Sequence, residues 1–199
     1  MFLGENMKII SLINSKGGVG KTTLAINLAR YVQKYIYTQE HPKKKPSVLI
    51  VDADPQGSTR DWYETGGHQY IDVIVADRKS IITNLRQANI HYDYIFVDTG
   101  GKLSDIMAAA IATSDLVLVP VQPSPYDIWA TEETINLVKM RQEITEGIPL
   151  CRYVLNRCIP NTNIGKDVIE HMNTYTHTHI MTRTIKHELS TWQTGKFAT

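Results

Sequence analysis

The chain has 199 residues, 42% hydrophobic and 21% charged, with a formal net charge of +1. That is enough chain for one domain with a large buried core, in a composition typical of soluble globular proteins. It excludes a general polyanion binder, a membrane-spanning helix and a disulfide-built scaffold. Charge is near neutral, no apolar run is long enough, and the two cysteines (Cys151 and Cys158) point to a reducing cytoplasm.

Residues 1–6 read as a short extension that lacks a signal-peptide pattern, and residues 7–199 as a single domain. Residues 8–13 form an apolar strand, followed by a glycine-rich turn and a helix with Leu24, Ala25, Leu28, Ala29, Val32 and Ile36 on one stripe. A basic, proline-flanked loop at 40–46 reads as solvated. Apolar strands are expected at 47–52, 70–76, 94–98, 115–121 and 151–156. Helices are expected at 80–88, 105–113, 127–146 and 165–176, then a strand at 179–185 and a short helix up to Gly195. Such alternation predicts an α/β fold: a doubly wound, mostly parallel β-sheet flanked by helices.

The turn after the first strand carries the chemistry. Asn14-Ser15-Lys16-Gly17-Gly18-Val19-Gly20-Lys21-Thr22-Thr23 has the strand–turn–helix setting of a phosphate-binding loop. Glycines let backbone N–H groups close around phosphate oxygens, and the helix start adds partial positive charge. Gly17, Gly18, Val19, Gly20, Lys21, Thr22 and Thr23 are therefore the expected cradle. Lys21 reaches the β- and γ-phosphates, and the Thr22 hydroxyl ligates Mg²⁺. Ser15 stands where the usual pattern has its first glycine, and a second lysine, Lys16, follows. Two lysines exceed what one nucleotide needs, so Lys16 is expected to act outward, on a nucleotide held by a neighbouring copy.

Two further strands end in carboxylates, Asp52 and Asp54 on one and Asp98 on the other. Ligands sit at the C-terminal ends of parallel strands, which places these groups beside the loop to hold a Mg²⁺ shell or orient water. The competing reading is that each aspartate merely caps the next helix. His171, His177, His179 and His187 lack the spacing of a zinc site.

On these residues the chain resembles the ParA/MinD family of P-loop ATPases with a deviant Walker A motif. Asp52-Ala53-Asp54-Pro55-Gln56-Gly57 and Val97-Asp98-Thr99-Gly100-Gly101 match its second Walker A-type and Walker B segments. Pro120-Val121-Gln122-Pro123-Ser124-Pro125-Tyr126-Asp127 resembles its dimer-face loop, and Leu155-Asn156-Arg157 its strand end facing adenine. The resemblance implies ATP and Mg²⁺ as cofactors, Thr22 and Asp98 on the metal, and Asn156 on the base. It also implies an ATP-sandwich homodimer with slow hydrolysis, in which Lys21 acts in cis, Lys16 acts across the interface, and Asp52 positions the attacking water.

Small partition ATPases of the ParA type bind DNA non-specifically when ATP-bound, and a ParB-type centromere-binding protein stimulates them. This implies a cytoplasmic, nucleoid-associated protein that drives plasmid or chromosome partition, with Arg183, Lys186 and Lys196 as candidate DNA contacts. No N-terminal helix-turn-helix precedes Met7. The chain ends without the basic amphipathic helix of the membrane-binding branch, and sooner than the resemblance implies, by the length of a last helix. Two other readings stay open: a cargo-positioning ATPase that acts on a protein scaffold without DNA, and a metabolic ligase of the dethiobiotin-synthetase type. Lys16 weighs against the ligase. The cysteine positions do not suit an electron carrier like the nitrogenase iron protein.

Overall fold

In a computed structural model, residues 7–36, 45–86, 92–157 and 180–181 are described. In chain order the strands are β1 (Lys8–Leu12), β2 (Val48–Ala53), β3 (Asp72–Val75), β4 (Tyr94–Thr99), β5 (Leu116–Val121), β6 (Leu150–Leu155) and β7 (Ile180–Met181). The helices are α1 (Lys21–Tyr35), α2 (Ser58–Glu64), α3 (Lys79–Thr83), α4 (Asp105–Thr113) and α5 (Pro125–Ile144). The strands form one sheet in the order β3-β2-β4-β1-β5-β6-β7, and every pairing is parallel. The expected doubly wound α/β architecture is thus present.

Strands β2, β4 and β5 are buried along their whole length, which explains their unbroken apolar runs. Alternate residues feed two cores. Ile9, Leu49, Val51, Ile95, Val97, Val117 and Val119 pack with α4 and with Ile135 and Val138 of α5. Ile10, Leu12, Ile50, Phe96, Leu116 and Leu118 pack with Ala25, Leu28, Ala29 and Val32 of α1. Helices on both faces leave the carboxyl ends of β1, β2 and β4 side by side. Leu12 is in register with Asp98, and Asp98 with Asp52.

Several expected boundaries move. The strand expected at 70–76 shrinks to Asp72–Val75 because Gly67–Gln69 is a 3-10 turn. The helix expected at 80–88 is the short Lys79–Thr83. Helix α5 starts at Pro125, where the missing N–H of proline costs nothing. Helix α2 was not anticipated: it buries only Thr59, so its seven residues show no apolar stripe. The helices expected at 165–176 and before Gly195 lie outside the described residues. So does the strand expected at 179–185, apart from Ile180–Met181 on β6.

Candidate functional site

The loop between β1 and α1 is fixed from three sides. Asn14 donates its amide to the Pro120 carbonyl at 2.7 Å and accepts from the Lys16 N–H at 2.8 Å. Ser15 N–H donates to the Thr134 hydroxyl on α5, and Gln122 Nε2 to the Gly18 carbonyl. On the third side the loop after β4 lies backbone against backbone: a Cβ on Gly101 would sit 3.1 Å from Gly17 Cα and N. Gly20, the N-cap of α1, has φ +97° and no capping side chain. The first-turn N–H groups of α1 therefore have no intrahelical partner and point at whatever anion enters.

Lys21 is 6% exposed, and its Nζ donates to the carbonyls of Asn14 and Lys16, at 3.0 Å each. Burial holds its pKa below the ordinary lysine value, against the upward pull of Asp98 and Asp54. Asn156 ends β6 against the loop. Its Nδ2 donates to the Val19 carbonyl at 2.9 Å, and its Oδ1 accepts the Arg157 N–H. One donor and one acceptor lone pair remain on that amide, the pair an adenine edge requires. A Cβ on Gly20 would fall 2.3 Å from Asn156 Nδ2, so the glycine serves both the backbone turn and this contact.

Asp98 is fully buried. Its Oδ2 accepts from the Thr59 hydroxyl at 2.8 Å, while Oδ1 has no partner. Its pKa is pushed up to about 6, mainly by burial; bonds to the Thr22 and Thr59 hydroxyls oppose the rise, and the Asp52 and Asp54 charges add to it. An unpartnered carboxylate oxygen, a neighbouring threonine hydroxyl and nearby carboxylates form a hard oxygen donor set that fits Mg²⁺. Among the described residues no three His, Cys, Asp or Glu side chains converge into a complete metal cage. A cation here would be shared with phosphate oxygens, as Mg²⁺ usually is.

Neither Asp54 nor Asp98 caps a helix, since the N-caps of α2 and α4 are Gly57 and Ser104. The water-positioning role expected of Asp52 does not fit. Its side chain is fully buried; Oδ1 accepts the Asp54 N–H and Oδ2 accepts Arg60 N–H and Nε, the last at 3.0 Å. Asp54 is the half-buried carboxylate of the pair, and its charge reaches Lys21. Arg60 went unread because nothing in the local sequence ties an arginine on an unanticipated helix to β2. Removing it leaves a buried carboxylate short of a partner. Arg60→Ala is therefore expected to cost about 1–3 kcal/mol of stability in urea unfolding. An unchanged unfolding midpoint would show that the pair does not hold this turn.

Lys16 does not project freely. Its ammonium is ion-paired with Asp127 in the first turn of α5, a carboxylate 3% exposed. A carboxylate just inside a helix start is a readable signal, but its partner is not. Arg183, Lys186, Lys196, Cys158 and the late histidines lie outside the described residues. Cys151 is a buried free thiol. No helix among the described residues is long and apolar enough to cross a membrane.

A glycine-rich loop between the central strand and α1, with carboxylates at the ends of β4 and β2, the next two strands on one side, defines a P-loop nucleotide-binding domain. The chain belongs to the CobQ/CobB/MinD/ParA nucleotide binding domain family, whose pattern matches residues 10–188.

Among its relatives is the maintenance of carboxysome distribution protein A of Halothiobacillus neapolitanus, 29% identical over 77% of this chain and 68% of that protein. The protein of the same name from Gloeobacter kilaueensis is 34% identical over 73% of this chain and 63% of its own length. The chromosome-partitioning ATPase Soj of Thermus thermophilus is 30% identical over 73% and 66%. The chain thus spans about two thirds of the length of these relatives. A Borrelia burgdorferi plasmid partition protein shares the fold with TM-score 0.68, 19% identity and 96% of each chain covered. So does a Mycobacterium smegmatis cobyrinic acid a,c-diamide synthase, with TM-score 0.75, 15% identity, and 96% and 97% covered.

Proposed function

We propose that the chain is a slow, Mg²⁺-dependent ATPase of the partition type that pairs with a second copy across bound ATP. It rides non-specifically on DNA and distributes a plasmid or chromosome when a ParB-type partner triggers hydrolysis, in the cytoplasm and at the nucleoid. The observation that supports this most is the division between the loop's two lysines. Lys21 fills the buried position its own nucleotide needs, while Lys16 stays at the surface with 41% of its side chain exposed.

Phosphoryl transfer needs positioning and charge compensation rather than a protein nucleophile. Lys21 and the N–H groups of residues 17–23 bind the phosphates, and Asn156 orients the base. Mg²⁺, held by Thr22 and Asp98, supplies charge neutralisation at the phosphates when bound. Asp54, in place of Asp52, orients the attacking water. Lys16 leaves Asp127 to reach the partner's nucleotide, and a cation supplied in trans contributes roughly 10³–10⁵ in rate. Lys16→Ala is therefore expected to bind ATP as a monomer, yet to lose ATP-dependent dimerisation and about 10³ in turnover. Unchanged dimerisation and turnover would overturn the trans role.

The relatives named for carboxysome distribution support a second reading, in which the cargo is a protein body. Binding to arbitrary duplex DNA with ATP, ADP or no nucleotide, at two salt concentrations, separates the two. The partition reading expects binding with ATP alone, weakened by salt, and reduced by changes at Arg183, Lys186 and Lys196. ATP-dependent dimers that ignore DNA would move the assignment to a protein scaffold.

A further inference from the structure

Helix α2 is anchored by polar contacts at its start. Thr59 is the one residue it buries, and Trp62 packs only partly against the core under α1. The Thr59 hydroxyl donates to Asp98 Oδ2 at 2.8 Å, across 39 positions of sequence, and both residues are closed off from solvent. Thr65, Thr113 and Thr145 instead return their hydroxyls to carbonyls four residues back in their own helices. Thr59 stands at the second position of α2, where its own helix offers no such carbonyl. Its neighbour Arg60 donates Nε and its backbone N–H to Asp52 Oδ2.

Asp52 and Asp98 are in register on neighbouring strands, which run about 4.8 Å apart. By position alone, either carboxylate could draw a divalent cation. The first turn of α2 distinguishes them. The Arg60 guanidinium compensates the charge of Asp52, whose two oxygens both accept bonds. Thr59 brings a neutral donor to Asp98. It occupies one oxygen, leaves the charge in place, and leaves Oδ1 without a partner among the described residues.

We propose that Thr59 is a positioning residue of the metal site: its hydroxyl locks the Asp98 carboxylate in the orientation that commits Oδ1 to Mg²⁺. This role rests on the Mg·ATP reading of the same site. The torsion that carries an aspartate's carboxylate has broad preferences, so an untethered group exchanges its two oxygens. Mg²⁺ demands near-ideal octahedral geometry and gains little from an oxygen that wanders. Threonine suits the tether because branching at Cβ restricts χ1. Burial keeps water from competing for the same oxygen. Groups that hold a ligand rather than the metal itself commonly contribute roughly 10–100-fold in metal affinity.

Binding of a fluorescent ATP analogue to the full chain, titrated with Mg²⁺ and repeated in EDTA, tests this. Thr59→Val keeps the branching and removes the donor. Its half-saturating Mg²⁺ is expected to rise about tenfold, while its affinity for the analogue in EDTA stays near the parent's. Thr59→Ser, which keeps the hydroxyl, is expected to hold the Mg²⁺ midpoint near the parent's. Thr59→Cys, a weaker donor, falls between them and replaces Thr59→Val if valine prevents folding. A hydroxyl that only supports the fold would instead weaken binding equally with and without Mg²⁺, and that outcome overturns the assignment. So does a Mg²⁺ midpoint unchanged in both Thr59→Val and Thr59→Cys, with the parent binding normally. A parent that binds no analogue under any condition overturns the Mg·ATP reading, and this role with it.

Discussion

Lys21→Ala is expected to abolish measurable ATP hydrolysis and to weaken ATP binding below detection in calorimetry. Removing a single preorganised donor at a transition-state charge ordinarily costs about 10²–10³ in rate. Here the same ammonium has a second duty. It bridges the carbonyls of Asn14 and Lys16 at 3.0 Å each, pinning the two ends of the turn together before any ligand enters. Its loss leaves two carbonyls short of a donor and frees a loop whose value lies in its fixed shape. The two contributions are separable. Loop opening alone would appear as faster amide hydrogen exchange at residues 14–20 in the nucleotide-free protein, whereas the lost phosphate contact appears only with ATP. A variant that still turns over ATP within tenfold of the parent would show that this loop is not the phosphate site.

Asp98→Asn is expected to stabilise the metal-free, nucleotide-free protein at neutral pH while it removes the response to Mg·ATP. The folded carboxyl titrates near 6 against 3.8 for an ordinary aspartate. Above pH 6 it is ionised in both states, and the folded state carries the cost of a buried charge. As pH falls through 6 the folded protein takes up a proton that the unfolded chain does not. Stability therefore rises until the unfolded group also titrates near 3.8, and the gain is complete below that. The amount at stake is on the order of 3 kcal/mol. Asparagine removes the charge at every pH, so its melting temperature at pH 7.5 should exceed the parent's by roughly 6–10 °C. The difference should shrink toward pH 5. The parent should gain stability on adding Mg·ATP, because a ligand that binds only the folded state stabilises it; the variant should gain little. Equal melting temperatures at pH 7.5 would mean that Asp98 carries no such burden.

Much of the site was legible because its chemistry is contiguous. The loop from Asn14 to Thr23 works through backbone N–H groups and glycine conformation, which neighbouring residues specify by themselves. Asp98 was legible for a related reason: a carboxylate ending an unbroken apolar run falls at the carboxyl end of a buried parallel strand. Asn156 was placed by the end of β6, and it does lie against the loop. Asp52 was misjudged against Asp54 because two carboxylates two residues apart look equivalent in a sequence. Positions two apart on a strand share a face, but β2 ends at Ala53 and leaves Asp54 in the turn beyond it, and the arginine that occupies Asp52 comes from α2, which has no periodic signature. Lys16 was expected to reach outward, and the structure instead gives it Asp127, a partner from the other half of the chain.

What the sequence determined by itself is the class of molecule: a parallel α/β sheet with a phosphate loop carrying two lysines and carboxylates at two strand ends. Periodicity, glycine placement and residue order along a βα unit are local, so short-range sterics and burial suffice to read them. What only the tertiary structure decided is which charge meets which. The order β2-β4-β1-β5 sets Asp98 between the loop and Asp52, lowers Arg60 onto one carboxylate and leaves Asp54 nearer to Lys21. It also carries α5 to the edge of the loop with Asp127 facing Lys16. Those pairings depend on distances of a few ångströms between segments far apart in the chain, because desolvation and Coulomb attraction act through space rather than along the backbone.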